Sequence, residues 1–229
     1  LDDALELCQD ISDSECGQAD CLHSSGIVLG EMGDLREALG CYEQALVLYR
    51  EVPGNECGQA DCLYNSGVAL GGLGDSRGAS ECYERALILF QGVPDSECAQ
   101  AECLFNRGAM LNELGDWWGA LGCFEQSLTL FQGVPGSERE QADCLYGSGV
   151  SLSELGDCWG ALGYFDRALV LLDKGVVEAD WAEAERTGAR CLQGIGDCLV
   201  ELNEAVFPDH FARALEVFQR PEHVDHTHL

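Results

Sequence analysis

The chain has 229 residues and 24.7 kDa, long enough for one or two domains that fold on their own cores. Its 12 Lys and Arg stand against 41 Asp and Glu, a formal charge of −29, and Lys174 is the only lysine, so a nucleic-acid backbone or an anionic membrane surface would be repelled. Hydrophobic residues make up 46% of the chain, too many for a disordered acidic segment, and no apolar run approaches the roughly 20 residues that span a bilayer.

In chain order, residues 1–14 read as the end of a helix whose hairpin partner is absent, because Ala4 precedes Ala45 by 41 residues. That first end is then expected to be covered by more chain or by another subunit. A repeat follows over 15–55, and the same 41-residue pattern recurs over 56–96, 97–137 and 138–178. Residues 179–220 form a degenerate hairpin, one residue out of register, with Phe207-Pro208 at its small packing position, and 221–229 are a tail.

Each repeat carries apolar residues at three- and four-residue spacing in two blocks, as in Leu22, Gly26 and Leu29, then Ala38, Tyr42 and Ala45. This predicts two amphipathic helices per repeat. Gly33, Gly74, Gly115 and Gly156 are expected to end the first helix in the left-handed conformation. Asp34, Asp75, Asp116 and Asp157 follow as caps of the second helix, which ends near Pro53, Pro94 or Pro135. Asn55, Ser96 and Ser137 are expected to cap the next first helix. Gly26, Gly67, Gly108 and Gly149 are set against Ala38, Ala79, Ala120 and Ala161, with Tyr42, Tyr83, Phe124 and Phe165 filling the groove between hairpins.

The order Gly67, Leu70, Gly74-Asp75, Ala79, Tyr83, Ala86 resembles the signature of the tetratricopeptide repeat family, in a long-period variant of about 41 residues. The pattern departs from the family at Leu22, Leu63, Leu104 and Leu145, where a large aromatic is usual, and at Ser127, where alanine is usual. The resemblance implies an all-α, right-handed superhelical solenoid of antiparallel helix hairpins, acting as a non-enzymatic interaction scaffold whose first helices line a concave face. The family's groove for acidic chaperone tails uses Lys, Arg and Asn. Acids and apolar residues hold those positions here, which disfavours that ligand.

Adding 41 along the first helices gives an acidic column, Asp20, Asp61, Glu102 and Asp143, and one turn further an aromatic column, His23, Tyr64, Phe105 and Tyr146. A third, small and apolar column is Ile27, Val68, Ala109 and Val150. Carboxylates beside rings suit a partner protein or peptide whose segment is basic, carrying Arg or Lys, or aromatic. The alternative is that the columns recur only because repeats were duplicated, with the acids solvated. A second functional class is a structural repeat protein assembling head to tail into a filament, which the charge opposes.

No phosphate loop, His-Glu-x-x-His or nucleophile elbow is present, no cofactor is implied, and a catalytic role is not expected. The cysteines keep the repeat: Cys16, Cys21 and Cys41 return as Cys57, Cys62 and Cys82, then Cys98, Cys103 and Cys123. Three readings stay open for them: small buried apolar residues, bridges between helices, or metal ligands, although the spacing is not that of a zinc ribbon. Reduced thiols would favour a cytoplasmic location and bridged ones an extracellular location. His223, Asp225, His226 and His228 near the end form a weak candidate metal cluster or a solvated tail.

Overall fold

The computed structural model describes residues 15–175 and 181–202, and every regular element among them is an α-helix. The leading segment 1–14, the stretch from Phe207 to Arg220 and the histidines of the tail lie outside the described residues. The chain divides into two units, Leu1–Asp116 and Trp117–Leu229. The first holds α1 (Glu15–Met32), α2 (Leu35–Glu51), α3 (Glu56–Gly72), α4 (Ser76–Phe90) and α5 (Glu97–Glu113). The second holds α6 (Trp117–Phe131), α7 (Glu138–Glu154), α8 (Cys158–Gly175) and α9 (Trp181–Glu201). In both units each helix packs on the one that follows it.

Glycine makes the tight turns. Gly33, Gly74, Gly115 and Gly156 sit at φ of 88°, 82°, 77° and 81°, where a Cβ would be strained. The next residue then closes the helix end: Asp34 N donates to Leu29 O, Asp75 N to Leu70 O, Asp116 N to Leu111 O and Asp157 N to Leu152 O, each at 2.9 Å. Asp75 and Asp157 also cap the second helix, accepting from Gly78 N and Gly160 N at 2.9 Å. Asp34 does not. A Cβ on Gly78 would stand 2.5 Å from the Asp75 carboxylate, and the position equivalent to Gly78 beside Asp34 is Glu37, which brings bulk and a like charge where the others have neither.

The expected caps at Asn55, Ser96 and Ser137 are not formed. The serine hydroxyls turn back to the helix that has just ended. Ser96 Oγ lies 2.6 Å from Phe90 O and 2.7 Å from Val93 O, and Ser137 Oγ lies 2.6 Å from Phe131 O and 2.7 Å from Val134 O. Gln100 and Gln141 donate to the same phenylalanine carbonyls at 3.4 and 3.3 Å, and to the serine oxygens at 2.9 and 3.1 Å. The last carbonyls of a helix lack intrahelical partners, and these two are buried, so the hydroxyl proton goes to them. Ser137→Ala is accordingly expected to cost about 1 kcal/mol in chemical denaturation, because it removes one buried donor from the Phe131 carbonyl, which keeps Gln141 Nε2 and Val134 N.

One turn lacks its glycine. Gly54 and Gly136 adopt φ of 84° and 80°, and the equivalent residue Asp95 is forced to 55°. Asp95→Gly is expected to raise stability by up to about 1 kcal/mol, measured as a shift in thermal midpoint.

Packing within a hairpin differs from the sequence expectation in one respect. The nearest side chain to the missing Cβ of Gly26 is Tyr42 rather than Ala38: a Cβ there would lie 2.5 Å from the ring. Gly67 meets Tyr83 at 2.7 Å and Gly149 meets Phe165 at 2.6 Å in the same way. A single alanine methyl is too short to close the gap between two helices, while a ring one turn further along spans it. Ala38, Ala79, Ala120 and Ala161 are fully buried all the same. Between hairpins, Tyr49 seats on Gly58, Phe124 on Gly147, and Phe165 on Gly194.

Candidate functional site

The acidic and aromatic columns lie on α1, α3 and α5 of the first unit and on α7 of the second. A three-residue offset sets each acid and its ring one turn apart on one face of a helix. Three rings of the column lean on the ring beneath them. His23 lies 5.9 Å from Tyr42, Tyr64 lies 5.7 Å from Tyr83 in an edge geometry, and Tyr146 lies 5.8 Å from Phe165, all between centroids. The glycine-seated rings are therefore the floor of the aromatic column. Phe105 is half-buried on α5.

Successive rungs are tied by asparagines that sequence reasoning did not single out. Asn65 Nδ2 is 2.9 Å from His23 Nε2, and Asn106 Nδ2 donates to Tyr64 Oη at 3.0 Å. Their signal was available: Asn65 and Asn106 are themselves 41 residues apart, each directly after a column ring.

The acids divide by what they touch. Asp20 accepts from the Tyr49 hydroxyl at 2.5 Å, and Asp143 accepts from Thr187 Oγ1 at 2.5 Å and from Arg139 at 3.4 Å. Asp61 and Glu102 face thiols one turn earlier, with Cys57 Sγ and Cys98 Sγ at 3.7 Å. Glu102 is exposed and Asp61 half-buried. Ile27 and Val68, on the helices of Asp20 and Asp61, are 38% and 48% exposed, a large exposure for aliphatic side chains. Thr187 and Arg190 lie on α9, the out-of-register helix, so adding 41 does not find them. Arg190 carries its guanidinium 4.2 Å above the centroid of Tyr146, and its charge also bears on Asp143.

Burial pushes the Asp61 carboxyl above the usual carboxylate value, with His23 and Cys57 pulling it part of the way back. Asp143 is also raised by burial, against the Thr187 hydrogen bond and the charges of Arg139 and Arg190. A carboxyl raised in the folded state holds its proton to higher pH than it does unfolded. Its contribution to stability is complete below the unfolded value and is lost as pH rises through the folded one. Asp61→Asn is expected to remove that loss and flatten the stability–pH curve between the unfolded carboxylate value and the raised folded one, followed by denaturation at stepped pH.

All cysteines among the described residues are free thiols. The column beginning at Cys21 turns inward after the first repeat: Cys62, Cys103 and Cys144 are fully buried, and burial pushes each up to about 12. Cysteine here fills core space as a small apolar residue. Ser127, the departure from the alanine pattern, is fully buried and accepts from Cys144 Sγ at 3.2 Å. Among the described residues no group of three or more His, Cys, Asp or Glu is placed to hold a metal ion, and no helix is long and apolar enough to cross a membrane.

The sequence profile of the tetratricopeptide repeat family matches residues 17–92 and 96–174. No curated protein matches the chain in sequence. Among solved structures, MamA (41-end) from Desulfovibrio magneticus RS-1 is similar with a TM-score of 0.62 at 17% identity, covering 87% of this chain and 94% of that one. BtubC (BKLC) from P. vanneervenii is similar with a TM-score of 0.64 at 19% identity, covering 97% and 93%. At such identities the likeness concerns the fold, an all-α array of helix hairpins.

Proposed function

This chain belongs to the tetratricopeptide repeat family, whose fold serves as a protein-interaction scaffold, and on that footing we propose that it is a non-enzymatic scaffold binding a partner segment rich in Arg or Lys along its first helices. The residues that would make the contact are Asp20, Asp61, Glu102 and Asp143, with His23, Tyr64, Phe105 and Tyr146. One observation carries the reading. At Tyr146 the ring already carries an arginine of this chain: Arg190 sits over it, and its charge, with that of Arg139, favours the ionised form of Asp143 one turn away. Asp61 with Tyr64, and Glu102 with Phe105, repeat that pairing of acid and ring on α3 and α5, where an incoming guanidinium or ammonium would take the place Arg190 has on α7. The exposed Ile27 and Val68 would add apolar contact.

The test is titration of the full chain with a fluorescent peptide alternating Arg and aromatic residues, beside the double variant Asp61→Lys with Glu102→Lys. Binding is expected to weaken by about tenfold or more in the variant, and the wild-type affinity is expected to fall as salt is raised. Equal affinity of variant and wild type would reject the groove.

A further inference from the structure

The cysteine column does not account for Cys158 and Cys198, which meet in the second unit. Cys158 is the first residue of α8, Cys198 lies in the last turns of α9, and both thiols are buried, at 5% and 0% exposure. Cys158 Sγ is 3.1 Å from Glu201 Oε2, and Glu201 is three residues beyond Cys198, on the same face of α9. Cys198 Sγ is 3.6 Å from Ser153 Oγ, in the last turn of α7. Cys198 is thus one helical turn from the carboxylate that the Cys158 thiol touches, and the two thiols bear on each other electrostatically. With Glu201 they do not form a metal cage. What remains for two juxtaposed thiols beside a carboxylate is thiol–disulfide chemistry.

We propose that Cys158 and Cys198 are a thiol–disulfide exchange site, closed by a low-molecular-weight disulfide into a bridge that ties the start of α8 to the end of α9. The first step is attack of the Cys158 thiolate on one sulfur of the disulfide, its proton passing to Glu201 and one thiolate leaving. The Cys198 thiol then attacks Cys158 Sγ, its proton passing to the departing small thiolate as the bridge forms, and the proton on Glu201 goes to the thiolate released first. Two protein thiols are oxidised and one small disulfide is reduced to two thiols. Cys158 attacks first because it is the less buried of the two and stands at a helix start with a base in contact. Burial and the Glu201 charge hold the Cys158 thiol up at about 12, so closure is slow and follows opening of the last turn of α9.

The experiment incubates the reduced full chain with oxidised glutathione, then unfolds it in the presence of an alkylating reagent and maps the cysteine peptides by mass. The expected product is a peptide pair joined through Cys158 and Cys198, with a thermal midpoint about 5 °C or more above that of the reduced chain. Cys198→Ser is expected to stop at glutathione attached to Cys158 and to show no such rise. The exposed thiols Cys21, Cys57 and Cys98 serve as an internal control for oxidant strength. Recovery of Cys158 and Cys198 as alkylated thiols, or of Cys158 still carrying glutathione in the wild type, under conditions that modify the exposed thiols, would overturn the proposal.

Discussion

Phe165→Ala is expected to lower the unfolding free energy of the second unit by about 3–5 kcal/mol. The ring is 1% exposed and seated between two helix backbones, with hypothetical Cβ atoms on Gly149 and Gly194 each falling 2.6 Å from it. Those glycines have no side chain with which to fill the space left behind, so the cavity cannot collapse well. Tyr146 leans on the same ring at 5.8 Å, and Arg190 lies over Tyr146. The truncation is therefore expected to quench or shift tyrosine fluorescence in the folded protein as well as to lower its denaturation midpoint. A loss under 1 kcal/mol would mean that the aromatic floor does not hold the hairpins together.

The second large effect comes from the opposite change. Gly149→Ala places a methyl against the Phe165 ring and is expected to cost about 2 kcal/mol, since an overpacked core must push the ring off its rotamer or part the helices. Gly163 lies on α8 with nothing within 4 Å of its missing Cβ, and there alanine is expected to gain up to about 1 kcal/mol from helix propensity alone. The opposite signs separate a packing role from a propensity effect. Combining Gly149→Ala with Phe165→Leu is expected to cost less than the sum of the two, with a coupling of about 1 kcal/mol by denaturation of all four proteins. Strict additivity would mean that the two residues do not share one space.

The helix ends were legible because their cause is local. A glycine followed by an aspartate after an apolar block has one economical use, and Gly33, Gly74, Gly115 and Gly156 adopt the positive φ that use requires. The serines before the first helices were misread for a related reason: a hydroxyl at a helix junction can serve the helix that begins or the one that ends. Ser96 and Ser137 serve the latter because the carbonyls behind them are the buried ones. Adding 41 named acids and rings that lie on the first helices, since each is a position within a repeat. It did not find their internal partners. Asn65 and Asn106 reach back to the rung before them, Thr187 and Arg190 belong to the helix that leaves the register, and such contacts depend on how neighbouring hairpins stack.

The most direct measurement of the central claim is a footprint: amide hydrogen exchange of the full chain with and without the Arg-rich aromatic peptide. Binding along the first helices predicts added protection on α1, α3 and α5 around Asp20, Asp61 and Glu102, with α2 and α4 unchanged. Protection on α2 and α4 instead, or a uniform change across the chain, would contradict it.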